Sequence, residues 1–316
     1  MWTRRVSTLP IRLAGHRRCL SQSAIAVFRD VPPLRQYRRG LLLSGRTVGF
    51  VPTMGALHDG HISLIRQAAQ ENTDVVVSIY VNPTQFGVNE DLDSYPRTWN
   101  EDLEKIQALN TEFESKLSTG SGRVTAIFAP TTKVVYPTLP PTSELNGNGS
   151  FVTITPLATK LEGASRPVFF RGVATACTKL FNMVTPDRVY FGQKDVQQSI
   201  IIKRMVQDFH IDTEVRVGPT LREPDGLAMS SPQSTLAEQE LLPAYKRARF
   251  EVDYISLADP ESLEELDHVD ESKGAVLSGA VKMYPLEEPQ EGEDCGLGGG
   301  KVPVRLIDNT ILQPSS

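Results

Sequence analysis

Two histidines three positions apart, His58 and His61, close the run Met54-Gly55-Ala56-Leu57-His58-Asp59-Gly60-His61. The run lies between an apolar β-branched segment and a stretch of helical periodicity. That setting suits phosphate chemistry. Gly55 and Gly60 let backbone approach a ligand closely. A helix opening near His61 offers free N–H groups and the positive end of its dipole. Two imidazoles beside those donors can follow charge as it develops on a phosphoryl group. Zinc is the chemical alternative, but no third ligand cluster lies nearby. A purely structural use, with His58 capping the helix and His61 packing, is the plain alternative; the strand–turn–helix context favours the chemical one.

A second centre is Gly192-Gln193-Lys194-Asp195. A lysine after a glycine turn neutralises phosphate charge, and the carboxylate can hold a hydroxyl or a divalent cation. Elsewhere in a chain the same pair would read as an exposed ion pair. Gln85 and Gln198 have the amides to hold a carboxylate or hydroxyl. Arg166, in Gly163-Ala164-Ser165-Arg166-Pro167, is a weaker anion candidate.

The elements that must position these residues alternate. Strands are expected over 47–51, 74–81, 124–128, 188–191 and 214–217. Helices are expected over 61–70, with Ile62, Ile65, Ala68 and Ala69 on one face, and over 99–109, 175–184 and 197–209. Alternation of this kind predicts a parallel sheet with right-handed crossovers. Four polar turns then fall at carboxyl ends of strands: the histidine run, Asn82 to Gly87, Gly192 to Asp195, and Leu221-Arg222-Glu223. In an open α/β sheet those ends form one ligand-binding rim. The polar stretches 110–123 and 137–150 read as surface insertions. Beyond residue 222 the rhythm changes: 251–257 reads as a strand and 285–300, rich in Gly, Pro and Glu, as a mobile loop.

Composition bounds the rest. The 316 residues suffice for two domains, and a net charge of −5 gives no reason to expect nucleic-acid binding. No apolar run reaches the roughly 18 residues of a membrane span. Cys19, Cys177 and Cys295 are far apart, which argues against a disulfide framework. Residues 1–29 carry six arginines and no Asp or Glu, a composition that suits a mitochondrial targeting segment or a disordered tail, with Arg17 to Ser21 as the processing region. Mitochondrial and cytoplasmic locations both stay open, with the basic N-terminus favouring the former. The division expected is 1–29, a nucleotide-binding domain over 30–222, and a small C-terminal domain over 223–316.

The segments VGFVPTMGALHDGH (48–61), VSIYVNPTQFGVNEDLDSYPRT (77–98), LEGASRP (161–167), RGVATACTKLFNMVTPDRVYFGQKDVQQ (171–198) and PTLREPDGLAMSS (219–231) closely resemble pantothenate synthetases. Weaker similarity continues in 252–267 and in RLIDN (305–309). The resemblance implies a Rossmann-like nucleotidylyltransferase domain related to class I aminoacyl-tRNA synthetases. His58 to His61 would be its HIGH-type signature, and Met229-Ser230-Ser231 the counterpart of its KMSKS-type loop. It also implies a smaller α+β C-terminal domain. The implied reaction is ATP-dependent and uses Mg²⁺: (R)-pantoate forms pantoyl adenylate and pyrophosphate, and β-alanine then displaces AMP.

By position, the resemblance makes His61 the catalytic acid, with His58 and Lys194 stabilising phosphate. ATP would be lined by Met54 to His61, by Gly192, Gln193, Lys194 and Asp195, by Leu221, and by Met229, Ser230 and Ser231. Gln85, Gln198 and Arg166 would hold pantoate, with Gln85 also near β-alanine. A homodimer is implied by the same likeness. Adenylation needs positioning and charge neutralisation more than proton transfer, so His61 is read mainly as an electrostatic stabiliser.

Three departures stand out. Pro232 follows Ser231 where the family has a phosphate-contacting arginine. Val168 and Phe169 replace a Gly-His pair. The stretch 236–250 is shorter than the family's, which implies a shortened C-terminal domain. These features keep open a competing reading, a weakened relative that binds nucleotide or pantoate, or only pairs with an active subunit. Another adenylate-forming activity is disfavoured by the presence of both Gln85 and Gln198.

Overall fold

A computed structural model describes residues 24–87, 92, 95–115, 122–144, 146–222, 250–283 and 304–314. The large sheet is built from β1 (Ala26–Phe28), β2 (Val48–Thr53), β3 (Asp74–Ile79), β4 (Arg123–Phe128), β5 (Arg188–Gly192) and β6 (Glu214–Gly218). Between them run α1 (Val31–Leu43), α2 (Asp59–Glu71), α3 (Trp99–Ser115), the short α4 (Thr132–Val135) and α5 (Glu162–Ser165), α6 (Phe169–Val184) and α7 (Val196–Asp208). All pairings in this sheet are parallel, in the order β1-β4-β3-β2-β5-β6.

Helices cover both faces. On one, Phe50, Phe128 and Phe181 pack with Leu34 of α1 and Ile201 of α7. On the other, Val51, Val75 and Val77 pack against Leu64 and Ile65 of α2 and Ile106 of α3. This is why β3 reads as a continuous apolar run rather than an alternating one: neither of its faces meets water. From β2 the chain steps outward through β3 to β4, and from β5 it steps the other way to β6. The order therefore reverses between β2 and β5, the place where open α/β sheets leave a crevice.

Two sequence expectations shift. The boundary at residue 29 falls inside the fold, because Ala26–Phe28 pairs in register with Ala126–Phe128. The helix α1 behind it went unread although Asp30 followed by Pro32 and Pro33 is a helix-start pattern. The helix expected over 99–109 runs on to Ser115, into the stretch read as an insertion. Asn110 explains this. Its side-chain amide exchanges two hydrogen bonds with the backbone of Val124, at 2.8 and 2.9 Å, so a polar residue is buried there as a main-chain partner.

The small domain is an antiparallel meander of β7 (Phe250–Ala258), β8 (Ala275–Met283) and β9 (Val304–Leu312). The expected loop over 285–300 and, apart from Phe250 at the start of β7, the shortened stretch over 236–250 lie outside the described residues. Among the described residues no helix is long and apolar enough to cross a membrane.

Candidate active site

The capping and chemical readings of the two histidines turn out to be compatible. His58 is the N-cap of α2, and its Nδ1 accepts from the Gly60 N–H at 3.1 Å. His61 Nδ1 accepts from the His58 N–H at 3.4 Å, completing a reciprocal capping box. The rings lie 4.1 Å apart between centroids. A nitrogen that accepts from a backbone N–H carries no proton, so the hydrogen-bond pattern assigns the proton of each neutral ring to Nε2. Both rings are held neutral. Burial, and then the Lys194 charge, bring the pKa of His58 down to about 4; burial, and then His58 and Lys105, bring that of His61 down to about 3. The site thus holds two neutral Nε2–H donors, not two cations.

The turn before them is unusual in its backbone. Gly55 has φ +87° and Ala56 φ +50°, conformations that cost little only for glycine. Asp102, on α3 and 1% exposed, holds the turn. Its carboxylate accepts from the N–H groups of Ala56 at 3.0 Å and Leu57 at 2.7 Å, and from Thr98 Oγ1 at 3.2 Å. Lys105 Nζ donates to Leu57 O at 2.5 Å. The expectation that Ala56 and Leu57 line the ATP site is corrected here: both are buried and neither lines the cleft. Their N–H groups are taken by Asp102, so with Gly55 they form the support behind the histidines. Asp59 is exposed.

Sequence reasoning missed Asp102 and Lys105. Their spacing is that of any solvated helix face, and only the docking of α3 shows that they point at the turn.

On the other side of the switch point, the turn after β5 presents Gly192, Lys194 and Asp195 to the same cleft. Among the described residues no carboxylate pairs with Lys194. Gln193 does not line the cleft by its side chain; instead its carbonyl, with that of Lys194, accepts from Asn309 on β9.

The Asn82 to Gly87 turn supplies the third part. Asn82 Nδ2 donates to Gln85 Oε1 at 3.0 Å, and Gln85 Nε2 reaches Met54 Sδ at 3.2 Å. Asn82 is itself pinned: its Nδ2 also donates to Gly172 O, and its Oδ1 accepts from Tyr136. Gly172 is required, since a Cβ there would lie 2.3 Å from Thr84 O. Arg166 reaches the backbone O of Gln85 at 3.4 Å and stacks over Phe169 at 4.0 Å, so Phe169, where the resemblance expects a histidine, is its cation–π partner. Of the two adjacent glutamines, Gln197 is a structural pin, bonded to Leu157 O, Lys160 O and Glu162 N. Gln198 lines the cleft.

The structure gathers most of the candidates around one cleft of about 1020 Å³, where Met54, His58, Gly60 and His61 face Lys194, Asp195 and Leu221, with Gln85, Arg166 and Gln198 alongside. Met229, Ser230, Ser231 and Pro232 lie outside the described residues. Arg222 does not reach the cleft as a free cation, because it makes a two-pronged pair with Asp308 at 2.7 and 3.0 Å.

For Mg²⁺ the donor chemistry fits a phosphate-held ion. Asp195 offers an exposed carboxylate beside Lys194. Among the described residues no cluster of three or more His, Cys, Asp or Glu could cage a metal. One carboxylate plus phosphate oxygens and water is the usual magnesium arrangement.

A histidine-capped helix and a lysine turn astride the switch point of a parallel sheet define a nucleotide-binding protein of the Rossmann class. A family model described as "Pantoate-beta-alanine ligase" matches residues 26–246. The chain is 38% identical to the pantoate–β-alanine ligase of Saccharomyces cerevisiae over 331 aligned residues, covering 90% of this chain and 99% of that one. A pantothenate synthetase of Thermodesulfovibrio yellowstonii is 47% identical over 207 residues, 66% of each chain. Among solved structures, a pantothenate synthetase from Thermus thermophilus matches with a TM-score of 0.67 at 32% identity, covering 92% of this chain and all of that one. The pantoate–β-alanine ligase of Francisella tularensis, solved with β-γ ATP and β-alanine, matches with a TM-score of 0.64 at 30% identity and the same coverage. The chain therefore belongs to the pantoate–β-alanine ligase family, a family of ligases.

Proposed function

We propose that this chain makes pantothenate from (R)-pantoate and β-alanine through a pantoyl-adenylate intermediate. In the first step a pantoate carboxylate oxygen attacks the α-phosphorus of ATP. The bond from that phosphorus to the bridging oxygen breaks, and pyrophosphate leaves. In the second, the β-alanine amine attacks the acyl carbon and gives up a proton, a C–N bond forms, and AMP leaves with the electrons of the broken C–O bond.

The observation that carries this reading is the pair of imidazoles with Nδ1 tied to backbone N–H groups. Each is left with one Nε2–H at the start of α2. Neutral, oriented donors of this kind stabilise charge developing on a phosphoryl group without having to reorganise. Lys194 adds a positive charge from the facing turn, and Met54, Gly60, Gly192 and Leu221 complete the ATP walls. Gln85 and Gln198 hold pantoate, with Arg166 behind and Gln85 also near β-alanine. His61 acts as a hydrogen-bond donor; with a pKa of about 3 it is not protonated to serve as a general acid near neutral pH. Bound Mg²⁺, held by the phosphates and Asp195, would neutralise charge on the leaving pyrophosphate. Met229, Ser230 and Ser231 are part of the same proposal, on the sequence resemblance alone.

The test is pantoate-dependent exchange of labelled pyrophosphate into ATP by the purified chain without β-alanine. Exchange is expected, followed by AMP release once β-alanine is added. Products of ADP and phosphate would overturn the adenylate route, and nucleotide binding without turnover would favour the weakened relative. The homodimer is likewise proposed on family likeness, and light scattering at micromolar concentration decides it. Mitochondrial delivery by the basic segment 1–29, rather than a cytoplasmic location, is tested by fusing that segment to a fluorescent reporter.

A further inference from the structure

The RLIDN run has no part in the chemistry above, yet β9 carries it against the large domain. Its side chains divide. Arg305 pairs with Glu162 of α5 and, within the small sheet, with Asp253, and Asp308 pairs with Arg222; the Glu162 and Arg222 pairs tie the sheet to the large domain. Asn309 differs. It is 6% exposed, and its Nδ2 donates to two successive main-chain carbonyls, Gln193 O at 3.0 Å and Lys194 O at 2.7 Å. Both amide hydrogens are thereby used, and the two peptide planes that set the direction of the Lys194 side chain are fixed.

Among the described residues the buried Asn309 Oδ1 has no partner, and an amide oxygen can only accept. Two hydroxyls share that condition. Ser278 Oγ belongs to its cross-strand neighbour on β8, and Thr220 Oγ1 to the segment that follows β6. All three residues line the cleft. Buried polar atoms are normally satisfied; the amide oxygen requires a donor and the two hydroxyls can accept one, which matches a ligand that brings N–H or O–H donors into the cleft.

We propose that the small sheet is a third wall of the nucleotide subsite: Asn309 is a positioning residue for Lys194, and Asn309 Oδ1, Ser278 Oγ and Thr220 Oγ1 receive the donors of a nucleoside. This rests on ATP being the nucleotide taken by the cleft. A triphosphate chain carries no such donors, so the wall distinguishes ATP from inorganic tripolyphosphate.

The experiment uses the full chain carrying Asn309→Ala, Ser278→Ala or Thr220→Val. Calorimetry with ATP and with tripolyphosphate is combined with hydrogen exchange over residues 192–196. Asn309→Ala is expected to weaken both probes about tenfold, the scale of a lost hydrogen-bonded support, and to speed exchange at the turn. Ser278→Ala and Thr220→Val are expected to weaken ATP about three- to tenfold and leave tripolyphosphate unchanged. Unchanged exchange in Asn309→Ala overturns the positioning role. Equal loss of both probes in the hydroxyl variants, or no loss of either, overturns the nucleoside contact. If Asn309→Ala does not fold, Asn309→Asp, which keeps the shape but sets an oxygen against both carbonyls, must show the faster exchange or the positioning role fails. If the unsubstituted chain binds no ATP, the proposed function and the nucleoside contact fall together, while the exchange result still decides the Asn309 clamp.

Discussion

The two polar turns on either side of the switch point are held in different ways. The histidine turn is supported from within the large domain, by Asp102 and Lys105 on α3, 45 to 48 residues away in sequence. The Lys194 turn is supported from outside it, by Asn309 on the small sheet, 115 and 116 residues from the carbonyls it holds. The two imidazole donors are thus set by contacts that the large domain makes alone. The facing cation is set only when the small sheet docks. One rim therefore has one wall of fixed geometry and one whose geometry depends on a domain contact, the kind of contact that opens and closes most readily in two-domain proteins.

The largest effect expected comes from removing a donor at the fixed wall. His61→Ala should lower pantoate-dependent pyrophosphate exchange about 10²–10³-fold, the range for one lost transition-state donor, with unchanged circular dichroism. Single-turnover adenylate formation at the parent's rate would remove His61 from the mechanism. Next comes Pro232, which stands where the sequence resemblance expects a phosphate-contacting arginine. Restoring a charge-assisted contact by Pro232→Arg should speed exchange about 10–100-fold. Equal rates in parent and variant would show that another group has taken over that role.

Asp102→Ala sharpens the comparison itself. It leaves two buried N–H groups without an acceptor, which should cost about 2–6 kcal/mol in urea unfolding. Hydrogen exchange should rise over residues 55–58 and stay unchanged over 192–196. Loosening of both turns together would mean that the walls are not independent.

Acid should act through the fixed wall as well. The folded-state pKa values of His58 and His61, about 4 and about 3, lie below the ordinary 6.5. Between pH 6.5 and 3 the unfolded chain takes up protons that the folded chain refuses. The histidines' contribution to stability is therefore complete above pH 6.5 and falls as the pH drops through that window. Tm should be lower at pH 4.5 than at pH 7, and the difference should shrink in His58→Gln. An unchanged pH slope in that variant would refute the assignment. The smallest effect expected is at the domain tie: Arg222→Ala removes a largely exposed pair with Asp308 and should cost at most about 1 kcal/mol, read from urea midpoints.

The sequence alone determined the parallel sheet, because buried strands and amphipathic helices alternate with distinct periods, and it determined that the polar turns share a rim, because parallel strands end on one side. His58, His61 and Lys194 were legible for the same reason: each follows a strand directly, so its place is local. What supports them was not. Asp102 reads as a solvated helix residue until α3 docks, and Ala56 and Leu57 read as ligand-facing until their N–H groups are seen to end in its carboxylate. Asn309 lies more than a hundred residues from the turn it holds. The helix beyond residue 109 was lost because a buried asparagine carries the same polarity as a loop asparagine. Periodicity records which face of an element is covered, not what covers it, and the choice of partner for a buried polar group is made only when distant elements meet.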